Sequence, residues 1–459
     1  MCGSGQSPRV AAKPPASPPA HASSALCALP HGTSRRFASR INSEFASRNP
    51  QFPVLTDLPP AAGLIVSSFY SRSWVWTHER ASFVGRAYLG EMMLATSKSH
   101  DAQRDAGDWA RKLREYRNAD ALRGSYELAI TAAPFALAWF SMFLALDQGY
   151  FWLYGLLVLP TAGLLVRLFM IQHDCGHGSF LPSRTGNDWV GRVIGVLTFT
   201  PYYHWRRGHA IHHATSGNLD RRGTGDVITL TVAEYLARSG WGRFWYRLYR
   251  HPAVMFGLGP IYLFVLRNRL PIGFERAGWR SWLSTMATNA AIVAVVGAMI
   301  WIVGPRSFIL IHVPVVLLSA AAGVWLFYLQ HQFEQTYWAT TDGWNAYEAG
   351  LHGSSYYDLP RVLKWFTANI GVHHVHHLAS RIPYYRLPEV LHDFPELRYL
   401  GRLTLFQSLK GLRLALWDEQ RRRLVSFKEL RCHTPLQTAL CASVQKGSGL
   451  FDYEEVNLN

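Results

Sequence analysis

The chain has 459 residues, of which 49% are hydrophobic, 14% are aromatic and only 17% are charged. It has no glycine period and no sustained heptad, so collagen-like, coiled-coil and wholly disordered classes are excluded. The mean hydropathy is zero, which indicates very apolar stretches averaged against very basic ones. The net charge of +16 implies an anionic partner: a nucleic acid, an anionic membrane surface or a negatively charged substrate carrier.

Residues 1–95 are predicted to form a disordered, low-complexity leader. The first part is rich in proline, serine and alanine and carries basic side chains with a single acid, Glu44. Such a composition cannot build a core. An organelle transit peptide and a gene start placed too far upstream of Met92 or Met93 are alternative interpretations. We expect one membrane domain over residues 96–425 and a C-terminal tail over residues 426–459.

Four apolar runs each have about the ~20 residues that are needed to cross ~30 Å of hydrocarbon. The runs are Tyr126–Leu146, Phe151–Ile171, Trp282–Val303 and Phe308–Gln330. Short connections join the first run to the second and the third to the fourth. We therefore predict four transmembrane helices in two hairpins.

Basic residues lie before the first run, in the long connection between the hairpins and in the C-terminal segment, whereas the two hairpin turns carry only Arg306. The positive-inside rule predicts that both termini and the long connection are cytoplasmic, or in the equivalent compartment such as a stroma. Two further apolar stretches, Val193–Phe199 and Val254–Leu266, are too short to span unaided. We predict that they are interfacial or re-entrant, with arginines such as Arg243 and Arg247 at the lipid headgroups.

Most of the 20 histidines fall in four short windows on the predicted cytoplasmic side. The windows read HDCGH, HWRRGHAIHH, LQHQFE and GVHHVHH. Histidines spaced i, i+3 and i+4 lie close together on a helix, so their imidazoles can converge on a metal. Two HxxHH matches are more than chance provides. The five cysteines form no CxxC pair, so neither a disulfide framework nor a cysteine zinc site is predicted.

The residue types do not choose the metal, because imidazole suits zinc, copper, iron and nickel. Eight or nine nitrogen ligands exceed one coordination shell, which indicates two ions. The zinc-protease motif HExxH is absent. The Glu-x-x-His pattern of soluble di-iron bundles occurs once, at Glu389 and His392, in a proline-flanked segment. The remaining interpretation is a site for two metal ions, with histidine ligands only, on a membrane protein.

These motifs resemble those of the membrane fatty acid desaturase family. HDCGH, HxxHH and a C-terminal HxxHH surround two transmembrane hairpins, and stretches such as HDCGHGSF and FTANIGVHHVHHLASRIPYYRLPEVL are similar to the omega-6 (delta-12) acyl desaturase branch. The resemblance covers roughly residues 110–425. It implies an all-α integral membrane protein with four transmembrane helices in two hairpins and a cytosolic helical cap that holds a histidine-rich di-iron site.

The resemblance also implies which side chains bind the two iron ions. The ligands carry over as His173, His177, His209, His212, His213, His331, His373, His376 and His377. Some relatives add an asparagine one turn before the ligand at the end of the fourth span. That position is Phe327 here, and Asn369 is a substitute candidate. We expect His204 and His374 to be non-ligands, and His352 to be either a neighbour of the site or a surface residue. Candidates to accept a hydrogen bond from a ligand ring are Asp174, Asp220, Asp226 and Glu334.

The activity that the resemblance implies is oxygen-dependent desaturation, which introduces a cis double bond into a long acyl chain. Removing hydrogens from unactivated methylenes needs O2 activated at a metal. The chain has no HPGG haem motif and no cysteine set for an iron–sulfur cluster. A separate electron donor, a ferredoxin or a cytochrome b5, is therefore expected at the basic cap. The substrate is expected to be an acyl lipid or an acyl-carrier conjugate, with its chain in a buried apolar tunnel.

Two other functions match part of this pattern. A histidine-box di-iron hydroxylase of an acyl chain, alkane or carotenoid would use the same motifs. A metal transporter would place ionisable ligands near the bilayer midplane, but His312 is the one histidine within the four runs. The positive charge accompanies apolar segments and no nucleic-acid motif, so no nucleic-acid partner is expected.

Overall fold

The structure is a computed structural model that describes residues 105, 107–223, 226–271 and 278–430. The predicted leader, residues 1–95, lies outside the described residues, as do residues 431–459 of the predicted tail. Elements are numbered below along the described part of the chain.

Two long apolar helices form the first hairpin. α1 is Ala121–Asp147, and α2 is Phe151–His177. Asp120 caps the start of α1, because its carboxylate accepts a hydrogen bond from the backbone N–H of Arg123. Both are long and apolar enough to cross a membrane. α2 continues beyond the end of the predicted span and stops at Gly178, whose φ of 67° is a conformation that glycine favours. The first histidine window therefore forms the last turns of a spanning helix.

The long connection folds into short elements beside the histidine end of the hairpins. They are α3, Arg184–Leu197; α4, Tyr202–Thr215; β1, Leu230–Thr231; α5, Val232–Ala237; and α6, Gly240–Tyr249. Two π-helical turns follow, Val254–Leu258 and Tyr262–Leu266, with α7, Gly259–Ile261, between them and a 3-10 turn, Arg267–Arg269, after them. We call residues 254–266 the π segment.

Both stretches that were predicted to be interfacial carry exposed apolar side chains. Val193 of α3 and Leu258 of the π segment are more than half exposed. Their location at the membrane interface stays a prediction.

The second hairpin consists of α8, Trp279–Val303, and α9, Pro305–His331. Gly304 alone connects them, at a φ of 79°. Pro305 occupies the first position of α9, where the missing N–H costs no helical hydrogen bond. Both helices are long and apolar enough to span. The predicted four spans in two hairpins are thus present, and α2 and α9 both end in histidine.

The segment after α9 packs with the long connection, and we call these two parts, residues 178–271 and 332–430, the cap. Its helices are α10, Ala346–His352; α11, Arg361–Phe366; α12, His373–Leu378; α13, Leu387–Asp393; α14, Leu405–Gly411; and α15, Phe427–Leu430. Its strands are β2, Tyr356–Asp358; β3, Arg402–Thr404; β4, Leu414–Asp418; and β5, Arg423–Ser426. This segment also contains the 3-10 turns Tyr384–Arg386 and Pro395–Tyr399, and another 3-10 turn, Glu115–Arg117, precedes α1.

The cap contains two small sheets that were not predicted. β1 pairs parallel with β4, β4 pairs antiparallel with β5, and β2 pairs parallel with β3. Each strand has between two and five residues, which are too few for an alternating hydrophobic pattern to stand out. The described chain is nevertheless mostly helical, as the fold prediction requires.

A buried ion pair joins the first hairpin to the cap. Arg167 of α2 pairs with Glu127 of α1 and donates from Nε to the hydroxyl of Thr131 at 3.0 Å. The guanidinium also donates to the backbone carbonyl of Trp365 in α11 and lies 4.3 Å from that indole ring. The Tyr384 hydroxyl donates to Glu127 at 3.1 Å. Neither charge was predicted to have a role, although an ionisable residue inside an apolar span is a visible signal in a sequence.

Candidate metal centre

Two short helices and the ends of two spanning helices present the histidines. His173 and His177 lie one turn apart at the end of α2, and His331 is the last residue of α9. α4 carries the HAIHH motif, and α12 begins at the first histidine of HHVHH. The chain turns sharply before α12, where Ala368 and Asn369 have φ values of 48° and 54°.

The nine predicted histidines converge into two groups. The first group is His173, His177, His209, His213 and His376, and the second group is His212, His331, His373 and His377. In each group every residue offers a ring nitrogen within 4.8 Å of those of the other members. The structure thus brings together all nine side chains that the motifs singled out.

Helix periodicity explains how each motif divides between the groups. In HAIHH, His209 and His213 are four residues apart and share one face of α4, so both enter the first group. His212 is turned about 100° from His213 around the helix axis and enters the second. In HHVHH, His373 and His377 are likewise four residues apart and enter the second group, whereas His376 enters the first. Each HxxHH motif therefore serves both groups.

Ring nitrogens approach closely within each group. In the first group, Nε2 of His209 lies 3.0 Å from Nε2 of His177 and 3.1 Å from Nε2 of His213. In the second, Nε2 of His331 lies 3.1 Å from Nε2 of His212. Imidazole nitrogens bound at roughly 2.1 Å to one ion are roughly 3.0–3.4 Å apart, depending on the coordination geometry. The donor set and its spacing fit one metal ion per group.

Two of the four acidic candidates contact histidine rings. Asp174 Oδ1 lies 3.1 Å from Nδ1 of His173, and Asp226 Oδ1 lies 2.5 Å from Nδ1 of His212. A carboxylate at Nδ1 fixes the tautomer and the orientation of the ring and leaves Nε2 available for a metal. Each group therefore contains one histidine oriented by an aspartate.

The other two acidic candidates have partners elsewhere among the described residues. Asp220 accepts a hydrogen bond from the backbone N–H of Thr341 at 2.7 Å, and Glu334 forms an ion pair with Arg423. Closeness to a histidine motif in the sequence therefore did not distinguish the acids that contact a histidine ring from those that have other partners.

One acceptor could not be found from the sequence. The backbone carbonyl of Gly353 lies 3.0 Å from Nδ1 of His331, and a backbone carbonyl leaves no signal in a residue pattern. Nε2 of His377 is buried without a hydrogen-bond partner among the described residues. A bound cation would satisfy this nitrogen.

Burial sets the protonation state of the cap histidines. It lowers their pKa below the ordinary imidazole value, and positive charge on neighbouring rings would lower the pKa further. This holds for His209, His213, His373, His376 and His377. The rings are therefore neutral at neutral pH, which is the form that binds metal.

The histidines that were expected to be non-ligands lie outside both groups. His204 is buried, and so is His374, whose ring centre lies 6.0 Å from that of Tyr356. His352 is an exposed residue 3.7 Å from Glu348. None of these three histidines belongs to either group of converging rings.

An aromatic ring fills the position at which some relatives are expected to carry an asparagine. Phe327 packs with its ring centre 5.1 Å from that of His212 and 5.6 Å from that of His331. The substitute candidate Asn369 belongs to neither group, and its amide faces the backbone carbonyl of Tyr384 at 3.5 Å. The side chain beside the second group is thus apolar.

A largely apolar cavity of about 760 Å³ reaches the histidines from the spanning helices. Most of its walls come from α2, α4, α9 and the π segment, and four of the nine histidines line it: His173, His209, His212 and His373. Along α9 the lining runs from Val316 to Gln330, a rise of about 21 Å at 1.5 Å per residue. One leaflet of a bilayer is about 15 Å of hydrocarbon. The cavity is therefore long enough for a lipid acyl chain.

The chain matches a family model described as fatty acid desaturase over residues 150–408, more than half of its length. It belongs to the fatty acid desaturase family. Across 313 residues it is 46% identical to a fatty acid desaturase of Bacillus subtilis, covering 68% of this chain and 87% of that one. The family is therefore the one that the histidine motifs predicted.

Two further similar relatives come from Synechocystis. One, named sn-1 acyl-lipid omega-3 desaturase (ferredoxin), is 30% identical over 57% of this chain and 70% of its own length. The other, named sn-1 oleoyl-lipid 12-desaturase, is 26% identical over 54% of this chain and 73% of its own length. Fatty acid desaturases are oxidoreductases of lipid metabolism. The chain is an oxidoreductase of this family and, with four apolar helices, a membrane protein.

Proposed function

We propose that the enzyme introduces a cis double bond into a long acyl chain of a membrane lipid, at the delta-12 (omega-6) position, with two iron ions as its cofactor. The observation that carries the proposal is the juxtaposition of nine converging imidazoles with an apolar cavity that four of these histidines line. The resemblance to the omega-6 branch and the lipid-linked names of the Synechocystis relatives support the substrate and the position.

The reaction balances with an external reductant. Two C–H bonds on adjacent carbons break and a C=C bond forms. O2 accepts these two hydrogens together with two electrons and two protons, giving two waters. The electrons come from a ferredoxin or a cytochrome b5, which we propose docks on the basic cap. Bound iron would supply the activation of O2 that side-chain chemistry lacks.

The residues of the chain would hold and orient the reactants. The first group would bind one ion and the second group the other, with Asp174 and Asp226 fixing one ring in each. The cavity wall would exclude water and keep two neighbouring methylenes against His173 and His373. By the positive-inside rule, we propose that the histidine end faces the cytoplasm or its equivalent.

Expression in a host that lacks polyunsaturated fatty acids tests this function. Mass spectrometry of the host lipids is expected to find a diunsaturated acyl chain with its new cis bond at the delta-12 position. His213→Ala should abolish the product and lower the iron content of the purified protein. His352→Ala is the matched control, because His352 lies outside both groups, and it should keep product and iron.

Two results would contradict the proposal. A hydroxylated chain with no new double bond would assign the enzyme to the hydroxylases. Unchanged iron content in His213→Ala, together with full activity, would remove this histidine from the metal centre.

A further inference from the structure

α6 presents an apolar stripe on its exposed side. The stripe consists of Trp241, Phe244, Trp245 and Leu248, which are 67%, 50%, 51% and 38% exposed. Their spacing of i, i+3, i+4 and i+7 places them on one face of the helix. The ring centre of Trp241 lies 5.3 Å from that of Phe244 and 5.4 Å from that of Trp245. These four residues form a continuous apolar surface, the α6 stripe.

The other side of α6 is fixed to the cap by hydrogen bonds. The hydroxyl of Tyr246 donates to the carbonyl of Ala415 in β4 at 2.6 Å. Arg247 donates from Nε to the hydroxyl of Tyr235 in α5, also at 2.6 Å. The rotation of the helix about its axis is therefore set, and the α6 stripe cannot turn inward without breaking both contacts.

The end of α6 lies at the level where α9 leaves its apolar run. Arg250, which follows α6, donates to the side-chain carbonyl of Gln332 at 2.9 Å, and Gln332 is the residue directly after α9. Farther on, Phe256 of the π segment packs on Trp325 of α9 with ring centres 5.1 Å apart. From α6 the chain thus runs back along α9 towards the apolar run of that helix, and α6 itself lies beside the end of α9.

We propose that α6 is a membrane-surface helix whose stripe inserts into the headgroup and upper acyl region of a phospholipid bilayer. Tryptophan and phenylalanine prefer this region. Arg243 lies on the side of α6 away from the stripe, so the helix has an apolar face and a basic face, as surface helices do. α9 is long and apolar enough to span a bilayer, and α6 is tied to the end of α9 through Arg250 and Gln332, which is the position that a surface helix would take.

This contact has a consequence for the cavity. Tyr249 at the end of α6 and Met255 and Leu258 of the π segment line the cavity. A stripe held in the bilayer keeps this wall at the lipid surface. The inference concerns membrane contact alone and does not depend on the reaction that the enzyme catalyses.

Fluorescence quenching in proteoliposomes tests the proposal on the full chain. Phe244→Cys is labelled with an environment-sensitive fluorophore and reconstituted in phosphatidylcholine and phosphatidylglycerol, and Gln420→Cys, in the exposed turn between β4 and β5, is the matched control. Wild-type protein taken through the same labelling gives the background from the native cysteines. Lipids with a doxyl group near the top of the acyl chain should quench the label at 244 by roughly half or more.

The aqueous quencher iodide supplies the opposite measurement. It should quench the label at 420 strongly and the label at 244 several-fold less. Equal quenching of both labels by iodide would overturn the proposal, because the stripe would then face water. Protection of the label at 244 from both quenchers would also overturn it, since a second copy of the chain would then cover the stripe. Unchanged elution on size exclusion verifies the fold of both variants.

Discussion

At the scale of single residues, the orientation of the histidine rings depends on acceptors that the chain supplies from distant positions. Asp226 lies on the loop after α4 and reaches Nδ1 of His212, whereas Asp220 on the same loop caps a turn at Thr341. Both are aspartates that follow the HAIHH motif, 7 and 13 residues after His213. The path of the loop alone decides which carboxylate meets the ring.

Asp226→Asn is expected to weaken metal binding by the second group. The amide no longer carries the negative charge that holds the His212 tautomer, and loss of such a partner typically costs about 10–100-fold in metal affinity. Iron retained per chain, measured during titration with a chelator, checks this. Asp220→Asn is the control and should behave as wild type. Equal retention in both variants would show that Asp226 does not position the ring.

At the scale of elements, the place of α4 depends on a close crossing with α3. Gly191 of α3 is buried, and a Cβ at this position would overlap the ring of Tyr202 at the start of α4. The Tyr202 hydroxyl donates to the backbone carbonyl of Cys175 in α2 at 2.7 Å. Tyr202 is therefore held between two helices, and it fixes the beginning of the helix that carries three of the nine histidines.

Gly191→Ala is expected to destabilise the protein by about 1–3 kcal/mol, the usual cost of overpacking a tight contact. The midpoint of thermal unfolding in detergent measures this effect. Gly297→Ala in α8 is the control, because a Cβ there meets no atom within 4 Å. Similar midpoints for the two variants would mean that α3 and α4 can separate without loss.

At the scale of the whole molecule, the spans and the cap are joined through a buried network that leads to the first histidine group. Glu127 of α1 pairs with Arg167 of α2 and accepts from the Tyr384 hydroxyl. The backbone N–H of Tyr384 donates to Asp174 Oδ2 at 2.6 Å, and Asp174 contacts His173. Hydrogen bonds thus connect a charge pair inside the spans with a histidine of the first group.

Glu127→Gln is expected to lower the free energy of unfolding by about 3–5 kcal/mol, because it leaves the buried charge of Arg167 without its partner. The test is thermal unfolding of the detergent-solubilised protein. Glu389→Gln is the matched control, since Glu389 forms an exposed pair with Arg386 and such pairs contribute little. An unchanged midpoint in Glu127→Gln would indicate that water or another donor compensates the arginine.

The sequence by itself was sufficient to predict the four spans, the nine histidines that converge and the family. Hydrophobic length is a local property of the chain, so the four helices were predictable, apart from ends such as the extension of α2 to His177. Helical spacing within each HxxHH motif also fixes which histidines share a face. None of these features depends on the path of the chain in space.

The tertiary structure decided which faces meet. Grouping His376 with His177, or His212 with His331, brings together residues from separate helices, and no local pattern encodes that distance. The same is true of the Gly353 carbonyl at His331 and of the cavity between α2, α9 and the π segment. The physical reason is that hydropathy and helical period act within one element, whereas metal sites and cavities arise where several elements converge.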